Sequence, residues 1–161
     1  MIISFSGHRP SKLGGYNPPN KIFNYITAEL KKVLQELQPE KAISGMALGW
    51  DQWAAQICVE LHIPFIAAVP FVGQEKIWPQ SSKDVYNHLL NQACEVVIVS
   101  EGGYTAAKMQ TRNEWMTDHC DSLVACYDGS NGGTHNCIKY AKSKDKKIII
   151  IDPSLISQTT K

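Results

Sequence analysis

The sequence predicts an α/β fold: a doubly wound, mainly parallel sheet with helices on both faces. Three observations predict it. Short apolar runs alternate with segments of helical periodicity along the whole chain. The links between them are short, which favours β–α–β units and parallel strands. The run 63–69 is continuously apolar, as a strand covered on both faces should be.

The elements follow in order. Residues 2–5 form a first apolar strand. A long loop follows, holding Gly7, His8, Arg9, Lys12, Gly14 and Gly15. Ile22, Ile26, Leu30, Val33 and Leu37 then recur at helical spacing, and Pro39 stops the helix. Residues 41–44 make a second strand, leading through Gly45 and Gly49 to a helix over 52–61. Asp51 stands at that helix start, where an acidic residue caps the helix and suits its dipole. A third strand over 63–69 ends at Pro70, and a helix fits 82–93. A fourth strand, 95–99, precedes Glu101, Gly102 and Gly103; a helix over 106–120 carries Arg112 and Glu114. The fifth strand, 122–127, runs into Asp128, Gly129, Ser130, Asn131, Gly132, Gly133, Thr134 and His135. A helix over 136–144 and a sixth strand over 146–151, with four consecutive isoleucines, close the pattern. A chain of 161 residues suits one domain. We expect that domain over 1–152 and a polar, frayed tail over 153–161.

Composition narrows the function. Lys and Arg total 16 against 15 for Asp and Glu, a formal net charge of +1. That balance gives no electrostatic argument for a nucleic-acid or membrane partner. No apolar segment reaches the length of a signal peptide or a membrane span, so a cytoplasmic protein is expected. The 5 cysteines include no CxxC pair and read as reduced, core-filling thiols. His119, Cys120, Cys126, His135 and Cys137 match no common zinc spacing, so no metal is expected. Walker A and strict GxGxxG sequences are absent, which disfavours ATP hydrolysis and ordinary NAD dehydrogenase chemistry. No cofactor is expected.

The glycines carry the functional argument. The chain has 11 of them. With Gly73 set aside as a plain turn residue, the rest fall in loops that leave the carboxyl ends of predicted strands. Ligands of open parallel sheets bind beyond those ends. Small residues there let an anion approach the backbone N–H groups and the positive end of a helix. The reading is a cleft for a phosphorylated ligand. Gly, Asn and Ser are also ordinary turn residues, so a simple loop at 128–135 is the competing reading.

The segments Gly7-His8-Arg9-Pro10, Gly45-Met46-Ala47-Leu48-Gly49-Trp50-Asp51 and the turn from Gly129 to Thr134 resemble the SLOG superfamily, in its YpsA-like branch of bacterial and phage proteins. The resemblance covers nearly the whole chain. It implies a Rossmann-like fold that binds nucleotides or nucleotide-derived ligands, such as ADP-ribose or a nucleoside monophosphate. The related LOG phosphoribohydrolases release the base from a nucleoside monophosphate. They use a helix arginine and a glutamate after a PGGxGTxxE motif. Arg112 sits where that arginine would, and Gly132-Gly133-Thr134 resembles the motif. His135, Asn136 and Cys137 stand where the glutamate is expected. Asp51, Glu101 or Glu114 would have to replace it as the catalytic carboxylate.

The expected ligand and phosphate residues are therefore Gly7, His8, Arg9, Gly45, Gly49, Asp51, Arg112, Gly129, Ser130, Gly132, Gly133 and Thr134. Arg9 and Arg112 can neutralise phosphate by bidentate contact. His8 can donate to a phosphate or ribose, or bond its own loop. Asp51 can hold ribose hydroxyls. Trp50, Trp78 and Tyr104 can stack a base or fill the core. Two functions follow: a protein that senses or sequesters a nucleotide, and a nucleotide N-glycosidase. Self-association through exposed helix faces is a further expectation.

Overall fold

A computed structural model describes residues 1–156. It shows a sheet of 6 strands in the order β4-β3-β2-β1-β5-β6, every neighbouring pair parallel. The strands are β1 (Ile2–Gly7), β2 (Lys41–Ser44), β3 (Phe65–Val69), β4 (Glu95–Ile98), β5 (Ser122–Cys126) and β6 (Lys147–Ile151). The helices are α1 (Lys21–Leu37), α2 (Trp50–Glu60), α3 (Gln80–Gln92), α4 (Ala106–Asp118) and α5 (Gly133–Ser143). This is the expected Rossmann-like α/β fold.

The alternation of side chains along the strands builds two cores. Ile3 and Phe5 of β1 and Val124 of β5 point to one face, where Ile26, Leu30 and Leu34 of α1 and Ala54, Ile57 and Cys58 of α2 cover them. Tyr86 and Leu89 of α3 complete that layer. Leu123 and Ala125 point the other way and meet Cys137, Ile138 and Ala141 of α5. Ile43 and Ala68 meet Met116 and Cys120 at the end of α4. Sequence periodicity thus becomes two helical layers around one sheet.

Some boundaries differ from expectation. β3 begins at Phe65, because Pro64 lacks the N–H that a central strand would use. α5 begins at Gly133, three residues before the expected start at Asn136. Glycine has poor helix propensity, yet at the first turn that cost is small and Gly132 acts as the N-cap. Asp51 does not cap α2; the N-cap is Gly49, and Asp51 lies inside the first turn. Of the expected tail, Pro153–Leu155 forms a 3-10 turn, and 157–161 lie outside the described residues. Cys126 and Cys137 belong to clusters on opposite faces of the sheet, which separates the conceivable zinc ligands. Among the described residues no helix is long and apolar enough to cross a membrane.

Candidate functional site

Parallel strands carry all their exit loops to one rim. Strand order reverses at β1, with β2 on one side and β5 on the other. The β1 exit leads to α1 on one face and the β5 exit leads to α5 on the other, so the two loops diverge and leave a crevice. A cleft of about 250 Å³ lies there. Ser6, Gly7, His8, Arg9, Ser11 and Lys12 line one wall, and Asn131, Gly132, Gly133 and Thr134 the opposite one. Ala47 and Asp51 enter from β2–α2, and Met109, Arg112 and Asn113 from α4.

Arg112 reaches this cleft from the fourth helix and is only 3% exposed. Its Nη1 donates to the Gly45 carbonyl and, at 3.4 Å, to the Ala68 carbonyl. Its Nε donates to Asn113 Oδ1 at 2.9 Å. A guanidinium has five N–H groups. The pair on Nη2 has no acceptor among the described residues, on a side chain that lines the cleft. Gly45 is what makes room for the guanidinium: an added Cβ would lie 2.5 Å from Nη1.

Asp51, 8% exposed, sits in the same cleft. Its Oδ2 accepts a long 3.4 Å hydrogen bond from the Ala47 N–H. Burial raises its pKa above the usual aspartate range, against the opposing pull of Arg112, Arg9 and the Ala47 N–H. Burial likewise lowers the Arg112 pKa, with Asp51 opposing the shift. For both groups desolvation outweighs their mutual attraction, since they face each other without a direct ion pair.

The N-terminus of α5 forms the opposite wall. Gly132 provides no side-chain cap, so the first-turn N–H groups are left open by the side chains. The first N–H paired within the helix is that of Asn136, to the Gly132 carbonyl at 3.1 Å. Gly132 has φ 145°, a conformation that glycine adopts without penalty. A Cβ at Gly129, Gly132 or Gly133 would meet nothing within 4 Å. Thr134 is buried and its hydroxyl has no partner among the described residues. Arg9 and Lys12 add positive charge to the facing wall.

The remaining candidates are placed differently. Gly7 lines the cleft, but its missing side chain also accommodates the Trp50 ring, which a Cβ would approach to 2.3 Å. Gly49 allows close passage of the β1 exit, where a Cβ would lie 2.9 Å from the His8 carbonyl. His8 is buried, and its Nε2 donates to Asp128 Oδ1 at 2.9 Å, because a carboxylate can only accept. Asp128 Oδ1 also accepts from the Ser130 N–H at 2.9 Å and the Ser130 hydroxyl at 2.6 Å. Lys12 Nζ donates to the Ser130 hydroxyl at 2.8 Å, so a chain of hydrogen bonds straps the two loops together. Ser130 and Gly129 support the cleft through this strap and do not line it. Glu101 is exposed after β4, and Glu114 accepts from Gln110 Nε2 at 3.1 Å; neither lines the cleft.

None of the stacking candidates reaches the cleft. Trp50 is fully buried edge-on to Phe5, Trp78 packs edge-on to Tyr86, and Tyr104 packs against Phe71. Sequence reasoning missed Asp128, Met109, Asn113 and Asn131. Met109 was findable, since it lies one helical turn before Arg112 on the same face. Asp128 was not, because its partner His8 lies 120 residues away.

The fold and cleft define a Rossmann-like α/β protein whose crevice at the point of strand reversal presents two arginines and an open helix N-terminus. A family model described as "YspA SLOG family" matches residues 3–156, and the chain belongs to that family. It is similar to the uncharacterized SPbeta prophage-derived protein YoqJ of Bacillus subtilis (strain 168), 39% identical over 139 residues, covering 76% of this chain and 81% of the relative. Among solved structures it resembles DNA processing protein A from Streptococcus pneumoniae: TM-score 0.65, 14% identity, 92% of this chain and 49% of that one. The chain thus spans about half the length of that protein. The Helicobacter pylori protein of the same name, described as having a single-stranded DNA binding mode, gives TM-score 0.68 and 15% identity over 99% of this chain and 73% of its own. At these identities the likeness is one of fold.

The expectation of no nucleic-acid partner is corrected by this comparison. A fold neighbour is described as binding single-stranded DNA. Net charge is a sum over the molecule, whereas strand binding depends on local charge, so a near-neutral balance excludes nothing here.

Proposed function

We propose that the chain binds a phosphorylated, nucleotide-derived ligand in the cleft between the β1 and β5 exits, as a sensor or sequestering protein. One observation carries the reading: the uncapped N-terminus of α5 faces Arg9 and Lys12, with the unpaired Nη2 of Arg112 in the same cleft. Backbone N–H groups, a helix dipole and guanidinium donors together match a phosphate. The test is calorimetric titration of AMP and inorganic phosphate into the wild-type chain and the Gly133→Asp variant. Wild-type binding that the added carboxylate abolishes supports the proposal. Equal binding by both chains, or by neither, rejects it.

A second reading, nucleotide N-glycosidase, is favoured by Asp51. It is the one of the three carboxylates proposed for catalysis that lines the cleft, and its raised pKa suits a general base or acid. In this reading Asp51 takes a proton from the water that attacks the anomeric carbon, the carbon–nitrogen bond to the base breaks, and the departing base takes up the proton, while Arg112 holds the sugar phosphate. Chromatography of AMP incubated with the protein would reveal free adenine. Release that survives Asp51→Asn would exclude this role.

A further inference from the structure

We infer that the cleft reads a terminal phosphate together with the sugar that carries it and leaves the base unread, so that its ligand is a pentose 5-phosphate compound rather than a dinucleotide. The inference rests on the phosphate reading above and narrows it. Two sets of polar groups carry it. Gly133, Thr134 and Lys12 mark an anion end. Asp51 marks an acceptor end, with Oδ1 unpaired among the described residues on a side chain more than nine-tenths buried. A carboxylate oxygen that opens to the cleft without a protein donor is a ready acceptor, and a sugar hydroxyl supplies a donor. The Nη2 pair of Arg112 lies in the same space and can serve either end.

No stacking platform is offered to a base. The only aromatic ring lining the cleft is His8, and its Nε2 is held by Asp128. The apolar lining is Ala47 and Met109, too little for a stacking platform. Size agrees: about 250 Å³ is below the roughly 300–1,000 Å³ typical of pockets that enclose drug-sized ligands. A pentose phosphate can be enclosed, and a base attached to it would project into solvent. A dinucleotide lacks a terminal monoester phosphate and would leave most of its surface outside.

Free pentose phosphates and nucleoside 5′-monophosphates share this chemistry. The experiment titrates the full chain with ribose 5-phosphate, AMP, GMP, CMP, UMP, ADP-ribose and NAD. The four monophosphates should bind within roughly threefold of one another, and ADP-ribose and NAD at least about tenfold more weakly. Ribose 5-phosphate binding as tightly as the monophosphates points to the free sugar phosphate; tighter binding by all four points to the nucleotides. One monophosphate preferred by more than about tenfold, or ADP-ribose binding tightest, overturns the inference while leaving phosphate binding intact. Absence of binding by every compound overturns both readings. In a second arm, Asp51→Asn should weaken ribose 5-phosphate roughly tenfold more than it weakens inorganic phosphate. Equal weakening of both would remove the sugar contact.

Discussion

The Asp51 carboxylate and the Arg112 guanidinium share one buried cleft, interact electrostatically, and form no direct ion pair. Each is held by backbone instead: Asp51 by the Ala47 N–H, Arg112 by the Gly45 and Ala68 carbonyls. Two uncollapsed opposite charges provide both a donor and an acceptor for a polar guest. Burying them this way costs stability, which makes the arrangement testable without knowing the ligand.

Arg112→Ala should destabilise the fold by about 3 kcal/mol, since it removes a charged donor from the Gly45 and Ala68 carbonyls, leaving Gly45 only Gln74 Nε2, and leaves Asp51 only Arg9 as an opposing charge. Arg112→Lys should recover only part of this, because a single ammonium cannot donate both to the carbonyls that Nη1 holds and to Asn113 Oδ1, which Nε holds. Urea denaturation of the three chains checks both expectations.

Asp51→Asn should stabilise the unliganded chain near neutral pH. Burial raises the folded-state pKa, so the folded chain binds this proton more tightly than the unfolded one. The stability from that proton is fully present below the ordinary aspartate value of 3.8 and is lost as pH rises through the elevated folded value. The advantage of Asn over Asp should therefore be near zero at low pH and grow with rising pH. Thermal melts at several pH values would show it, and a flat difference would contradict the burial argument.

Asp128 should behave in the opposite sense. Hydrogen bonds from the Ser130 hydroxyl and N–H, joined by His8, lower its pKa to about 2. Its stabilising effect is present above the ordinary aspartate value of 3.8 and lost as pH falls through about 2. Asp128→Asn should lower the melting temperature at pH 7 and converge with wild type in strong acid. Loosening of the strap should also appear as faster amide exchange at Ser130.

Two glycine substitutions should separate packing from binding. Gly45→Ala drives a methyl group into the Arg112 guanidinium and should cost about 1–3 kcal/mol. Gly133→Ala meets open space and should change stability by less than about 0.5 kcal/mol while weakening phosphate binding. Denaturation and titration on the same two variants give both readouts.

Much of the molecule was written in local pattern. Periodicity 3.6 marked α1 through Ile22, Ile26 and Leu30, and uninterrupted apolar runs marked β3 and β6. Alternation of strand and helix then left a parallel sheet, and with it the rim where the glycine loops would gather. These features depend on neighbours within a few residues, so the sequence by itself determined them. Which glycines face a guest and which make room for a neighbour was decided only by the tertiary structure. Gly45 and Gly133 look alike in the chain, yet one backs onto Arg112, 67 residues away, and the other opens to solvent. The same holds for His8, bound to Asp128, and for Asp51, set within the cleft rather than on a helix cap. Those outcomes follow from burial and charge contacts between distant segments, and such contacts exist only once the sheet has brought the segments together.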